Sequence, residues 1–195
     1  GSLAKAIEQL KMAAHYPGGL PAILTGASGT GKSYMVRLMH QYCLDNGLLE
    51  CDALLITFDC AQYANNPELL SSNLFGHVKG AFTGALADRG GAFQAADKGI
   101  LFLDEIHRLN PEGQEKLFMY LDQGLVYPLG ETRKAQAIQA RLVFATTEDV
   151  DSHFLTTFIR RIPIRINLPE LEERPRQERH ELLLAFFLEE AKRVD

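Results

Sequence analysis

Eight residues early in the chain, Gly26-Ala27-Ser28-Gly29-Thr30-Gly31-Lys32-Ser33, have the types and spacing needed to hold a phosphate chain. Their glycines permit turns barred to residues with a Cβ. Successive backbone N–H groups can then face phosphate oxygens at a helix N-terminus, where the dipole also favours anions. Lys32 adds a point charge for the β and γ phosphates of ATP, and Ser33 offers a hydroxyl to Mg²⁺. A second pair, Asp104-Glu105, closes the apolar run Ile100-Leu101-Phe102-Leu103. At the C-terminal edge of a parallel sheet such a pair faces the crevice where α/β folds bind ligands. Asp104 would orient Mg²⁺, and Glu105 would take a proton from the attacking water. His107 reads as local packing or surface rather than as a second base.

A third group has a different character. Gly76 to Gly91 holds five glycines and suits neither helix nor strand. Within it, Gly80-Ala81-Phe82-Thr83-Gly84-Ala85 sets one aromatic between two glycines. A Phe exposed on a flexible loop costs solubility and marks contact with a partner. The alternative is that Phe82 folds back into the core.

These groups need strands and helices to position them. Ala22–Thr25 is an apolar strand running into the glycine-rich loop, and Lys32–Leu44 follows as a helix with Met35, Val36, Met39 and Cys43 inward. Leu3–Tyr16 has Ile7, Leu10 and Ala14 on one helical face and stops at Pro17-Gly18-Gly19. The unbroken apolar run Ala53–Phe58 predicts a strand buried on both faces. Pro67–Phe75 and Pro111–Tyr120 predict helices, the second opened by a first-turn proline. Leu125–Tyr127 and Ala137–Gln139 can pair as a hairpin leading into the strand Leu142–Ala145. Pro163–Ile166 is a last short strand and Pro175–Arg193 a terminal helix. Strands alternating with helices indicate a mostly parallel sheet covered on both sides.

Composition agrees with one α/β domain: 195 residues, 46% hydrophobic, formal charge −5. That charge argues against a stand-alone nucleic-acid binder. No apolar run approaches the ~18–20 residues that cross a bilayer, and no secretory signal opens the chain, so a cytoplasmic setting is expected. Cys43, Cys51 and Cys60 follow no metal-ligand spacing and read as reduced thiols, mostly buried.

Taken together, the phosphate loop, the acidic strand and the Gly80–Ala85 hexapeptide resemble the AAA+ domain of bacterial activators of sigma-54 RNA polymerase. All six positions of the hexapeptide match, along with Leu74-Phe75-Gly76 before it. Asp59-Cys60-Ala61-Gln62-Tyr63-Ala64-Asn65-Asn66, His107-Arg108-Leu109 and Thr157-Phe158-Ile159-Arg160-Arg161-Ile162-Pro163 look most like the levanase-operon-regulator branch, whose activators carry phosphotransferase-system regulation domains. The resemblance implies a three-layer α/β/α phosphate-loop ATPase core with a mostly parallel five-stranded sheet over 1–170, and the start of a truncated helical lid over 171–195. It implies ATP and Mg²⁺ as ligands, a ring assembly (a hexamer in the full protein), and sigma-54 polymerase holoenzyme as partner. Gly80 to Ala85 would make that contact, chiefly through Phe82 and Thr83. DNA would be bound only by a domain outside this chain.

Three positions depart from the family pattern. Asp59 stands at the end of the second strand where Asn is usual; that Asn donates to the catalytic Glu, and an ionised Asp has no donor. Thr147 stands where the γ-phosphate is sensed, again usually by Asn. Leu155 takes the place of the first of two arginines that reach a neighbour's nucleotide; Arg161 matches the second, with Arg160 in reserve. The reading is therefore an ATP-hydrolysing sigma-54 activator core. Its rivals are an AAA+ ATPase acting on another protein or nucleic acid, and a nucleotide-sensing module with little turnover.

Overall fold

The computed structural model describes residues 2–181 and 184. Five parallel strands form one sheet in the order β2-β3-β6-β1-β7, with β1 Ala22–Thr25, β2 Leu55–Asp59, β3 Ile100–Asp104, β6 Arg141–Thr146 and β7 Ile164–Asn167. A separate two-residue ladder pairs β4 Leu125–Val126 with β5 Gln136–Ala137, the expected hairpin slipped by one residue at its second strand.

Alternation along the strands builds two cores. On β3, Ile100 and Phe102 join Leu24, Val143 and Ala145 under α1 Ser2–His15 and α2 Lys32–Asp45. Leu101 and Leu103 join Ile23 and Phe144 on the opposite face, packed by α3 Pro67–Phe75, α4 Ala92–Ala95, α5 Pro111–Gln123 and α7 Thr156–Ile159. A side-chain period of two in strands buried on both sides gives the three-layer α/β/α arrangement its central layer. The expected fold class holds.

Helix boundaries follow from local chemistry. Asn66 Oδ1 accepts from Leu69 N at 2.9 Å and Pro67 opens α3. Asn110 and Pro111 repeat the device for α5, which ends at Gly124 in the left-handed conformation, φ 66°. The predicted terminal helix is helical over 176–181; the rest of the predicted span to Arg193, apart from 184, lies outside the described residues.

One expectation fails. The run Ala53–Phe58 is not buried on both faces: Leu55 and Ile56 are half-buried, Thr57 and Leu54 are exposed, and Phe58 alone in the strand is buried. β2 is an edge strand paired only with β3, so an apolar run here does not imply cover on each side. Short helices α4 and α6 Val150–His153, and α7, were not legible in the periodicity, since four residues make barely one turn.

Candidate functional site at the C-terminal edge of the sheet

β1 delivers the chain into the glycine-rich loop, and Gly26 must be glycine: a Cβ there would lie 2.3 Å from the Leu168 carbonyl oxygen, at φ +140°. Gly29 and Gly31 also have positive φ, but a Cβ on either would meet nothing within 4 Å, so the mouth of the loop is open. Gly31 precedes α2 as its N-terminal cap, with no side chain to bond the first turn and no acid within it. A helix start without a side-chain cap or an acid in its first turn suits an anion, and this cradle fits a phosphate chain. Lys32 is buried, and its Nζ donates to the Gly26 and Ala27 carbonyls at 2.7 and 2.9 Å. Burial pulls its ammonium below the usual lysine range, against the pull of the Asp104 and Glu105 charges. Thr30 Oγ1 donates to Ala27 O at 2.9 Å, which closes the turn.

Across β6 from this loop, β3 ends in Asp104. Ser33 Oγ donates to Asp104 Oδ2 at 3.5 Å, so the two expected Mg²⁺ ligands already meet. Among the described residues no three His, Cys, Asp or Glu side chains gather into a metal cage. A hydroxyl and a carboxylate fit Mg²⁺ held largely by phosphate and water. Glu105 follows in the left-handed conformation, φ 50° and ψ 43°, uncommon for a residue with a Cβ. Two groups surround its Oε2. Thr147 Oγ1 donates to it at 3.2 Å, and His107 Nε2 stands 3.4 Å away. His107 is buried, and its other nitrogen is 3.0 Å from Thr146 Oγ1. The sequence suggests local packing or surface for His107; its side chain is buried, and sequence reasoning missed its contact with Glu105. The spacing Glu105-x-His107 carries no signal by itself; the contact depends on β6 lying beside β3.

Asp59 is not turned to Glu105 by any hydrogen bond among the described residues. Its Oδ1 accepts from Ala61 N at 2.9 Å, capping the 3₁₀ turn Cys60–Tyr63. Cys60 beneath is fully buried; burial, reinforced by the charges of Asp59, Asp104 and Glu105, pushes its thiol far up and leaves it inert. Cys43 is buried as well, and Cys51 is exposed. Arg161 lies away from this cluster, on the outer face of α5. Its Nε donates to Asp122 Oδ1 at 2.8 Å and its guanidinium sits 4.7 Å from the Phe118 ring centre. Arg160 is exposed.

The Gly80–Ala85 segment forms a tight double turn, closed by Gly80 N to Ala85 O at 2.8 Å and Ala85 N to Phe82 O at 3.0 Å. Phe82 belongs to neither core; it is half-buried and meets the His77 ring edge-on at 5.0 Å, while Thr83 and Gly84 are exposed. The alternative that Phe82 folds into the interior is thereby removed. Leu86 beside the turn is 84% exposed. At the base, His77 and Arg89 exchange backbone hydrogen bonds at 2.9 Å, and Val78 N donates to Leu129 O. The β4–β5 loop thus props the Phe82 segment, with Gly130 packed so close that its Cβ would stand 2.7 Å from that of Ala81. Gln94 fastens the base: its Oε1 accepts from Gly91 N at 2.7 Å, and its Nε2 donates to Phe75 O and Gln136 Oε1. These supporting residues went unnoticed in the sequence, although Gly91-x-x-Gln94 has capping-box spacing.

The sequence matches the family described as Sigma-54 interaction domain over residues 1–172. It is 48% identical over 195 residues to the transcriptional regulatory protein LevR of Bacillus subtilis, and 46% identical over 194 residues to the transcriptional regulatory protein DagR of Salmonella typhimurium. Each alignment covers 100% of this chain and 21% of the relative, so the chain spans about a fifth of the length of these relatives. Among solved structures, NtrX of Brucella abortus in complex with ADP superimposes with a TM-score of 0.75 over 97% of this chain and 40% of that one, at 22% identity. The NtrX complex with ATP gives a TM-score of 0.72 over 96% and 41%, at 23% identity. Among the described residues no helix is long and apolar enough to cross a membrane.

Proposed function

The chain belongs to the sigma-54 interaction domain family, and from that premise we propose that it is the ATP-hydrolysing core of an activator that remodels sigma-54 RNA polymerase through the Gly80–Ala85 loop. The observation that carries this is the meeting of Lys32, Ser33, Asp104 and Glu105 at one sheet edge, in a chain that also presents Phe82 outside both cores. The nucleotide complexes of NtrX support ATP as the ligand. The N–H groups at the start of α2 would bind the phosphates, and Lys32 would exchange its bonds to Gly26 and Ala27 for phosphate oxygens. Mg²⁺ held by Ser33 and Asp104 would supply charge neutralisation at the β and γ phosphates. Glu105 would accept the proton of the attacking water. Thr147 would report the γ-phosphate.

Asp59 begins a continuous stretch of chain that leads through the 3₁₀ turn and α3 to the loop base at Gly76. That stretch is the proposed link between nucleotide state and the height of Phe82. Arg161 would act across a subunit boundary in a ring, a hexamer in the full protein, with DNA bound by a domain elsewhere in the polypeptide and 171–195 opening the helical lid. The setting is cytoplasmic.

The test uses the intact protein. Glu105→Gln should bind ATP normally, lose about 10²–10⁴ in turnover and retain sigma-54 when loaded with ATP. Wild-type specific activity should rise with protein concentration as rings form. Capture of sigma-54 should require a γ-phosphate mimic and vanish in Phe82→Ala. Turnover with no sigma-54 capture in any nucleotide state would leave an ATPase of another target, and absent turnover a sensing module.

A further inference from the structure

Glu105 Oε2 has two polar neighbours, Thr147 hydrogen-bonded to it and His107 in close contact, and the two differ in what else they can do. Thr147 Oγ1 donates to Oε2 at 3.2 Å. A threonine hydroxyl carries one proton, so it cannot donate to Glu105 and to a γ-phosphate together. If the nucleotide reading above is right, on which this inference rests, arrival of the triphosphate draws away one of these two neighbours just as the carboxylate must be aimed. His107 is the other. Its Nε2 lies 3.4 Å from the same Oε2, and its side chain is 6% exposed.

The tautomer of His107 is set by its surroundings. The ionised Glu105 carboxylate 3.4 Å from Nε2 can only accept, so a neutral ring is favoured with its hydrogen on Nε2; Nδ1 then accepts from the Thr146 hydroxyl at 3.0 Å, which itself accepts from Glu148 N at 3.1 Å. A ring that accepts at Nδ1 carries its hydrogen on Nε2, the nitrogen beside Glu105. Thr146 is fully buried at the end of β6, so the imidazole has a fixed anchor. Burial also pushes His107 below the usual histidine range, outweighing the opposing pull of Glu105, so the ring faces Oε2 across 3.4 Å as a neutral imidazole rather than as a locking ion pair. Glu105 itself sits at φ 50°, a backbone conformation uncommon for a residue with a Cβ, which persists only where its surroundings hold it.

We propose that His107 is a positioning residue for the general base: its Nε2–H keeps Glu105 aimed into the site once the Thr147 hydroxyl turns to the γ-phosphate.

The test measures steady-state ATP turnover and ADP affinity for the intact protein and for His107→Leu, His107→Asn, His107→Gln and Glu105→Gln. A glutamine amide reaches the place of Nε2, whereas an asparagine amide reaches only that of Nδ1. His107→Leu and His107→Asn should each lower kcat about tenfold, equivalent to about 1.4 kcal/mol, with KM and ADP affinity unchanged. His107→Gln should stay within about twofold of wild type. A leucine variant that no longer binds ADP has lost its fold, and the asparagine variant then decides. The inference is overturned if the asparagine variant turns over at the wild-type rate, or if glutamine is as poor as asparagine, since packing alone would then explain the histidine. A fully active Glu105→Gln would bring down the hydrolysis reading and this inference with it. A dead Glu105→Gln beside wild-type turnover in all His107 variants would bring down this inference alone.

Discussion

Replacing Gly91 by alanine should separate the Phe82 loop from the nucleotide chemistry. Gly76 and Gly91 are the two stems of that loop and are pressed together. A Cβ on Gly91 would stand 2.4 Å from Gly76 N and 2.6 Å from Leu74 O, both backbone atoms that cannot swing aside. The Gly91 backbone is extended, φ −103°, so the strain is steric and not conformational. Ordinary contact needs roughly an ångström more, and backbone shifts of that kind cost ~1–3 kcal/mol. At a central value of ~2 kcal/mol, a chain of this size loses ~4–8 °C in Tm. The same shift parts the stems, so His77 and Arg89 no longer exchange their hydrogen bonds and Phe82 loses its seat against His77. Gly90→Ala is the control: its Cβ would meet only the Gln94 side chain, at 3.4 Å, which is ordinary contact. Calorimetry, ADP affinity and sigma-54 capture on the intact wild type and both variants decide the matter. Gly91→Ala should melt lower and lose capture while ADP affinity is kept, and Gly90→Ala should match wild type throughout. If Gly91→Ala captures sigma-54 as well as Gly90→Ala does, the pressed stems do not position the loop and the reasoning fails.

Arg161→Ala should leave ADP affinity intact and remove ~10³ of assembled turnover, while Arg160→Ala changes little; the reverse ranking would move the role to Arg160. Asp59→Asn keeps an oxygen to cap Ala61 N yet adds a donor beside β3, so basal turnover should fall and become more dependent on sigma-54, and an unchanged response in both conditions would refute it. Burial pushes the Tyr120 phenol up to about 12, while its hydroxyl donates to the Ala140 carbonyl and accepts from the Ala140 amide. A folded value raised above the unfolded one means stability that is whole below pH ~10 and lost as pH climbs toward ~12, at most about 2–3 kcal/mol. Unfolding monitored across that window should track tyrosinate absorbance, and Tyr120→Phe should abolish the coupled loss at the cost of an unpaired Ala140 amide.

Local chemistry made most of the fold legible. Ala22–Thr25, Pro67–Phe75 and the start of α5 are bounded by caps, prolines and glycines within a few residues of each boundary, and the structure returns those boundaries. The phosphate loop is equally local, since one turn and one helix start suffice. β2 was misread because burial on a second face depends on neighbours far along the chain, and its apolar run gives no hint that it lies at the sheet edge. The supports of the Phe82 loop were hidden for a related reason: Leu129, Gly130 and Gln136 reach it from the β4–β5 hairpin, some 45 residues downstream. Gln94 alone among them announces itself, through its spacing from Gly91.

The departures at Asp59 and Thr147 are better understood as one change than as two. Asp59 pairs in register with Asp104, so a donor there would touch β3 and nothing nearer the phosphate loop. β6 instead lies between β3 and β1, and Thr25 pairs in register with Thr146. A donor just past the end of β6 therefore borders both the acidic strand and the strand that feeds the glycine-rich loop. With Asp59 turned to its own 3₁₀ turn, Glu105 is bonded by Thr147 just past the end of β6, and His107, two residues on from Glu105, is anchored to Thr146 of the same strand. On the proposed reading the restraint on Glu105 lies on the β6 side of β3, where the same hydroxyl would also meet the γ-phosphate, rather than on the β2 side. An asparagine at position 147 would offer two protons and could hold both groups at once; a single hydroxyl has to choose, so on that reading triphosphate binding would release Glu105 from Thr147.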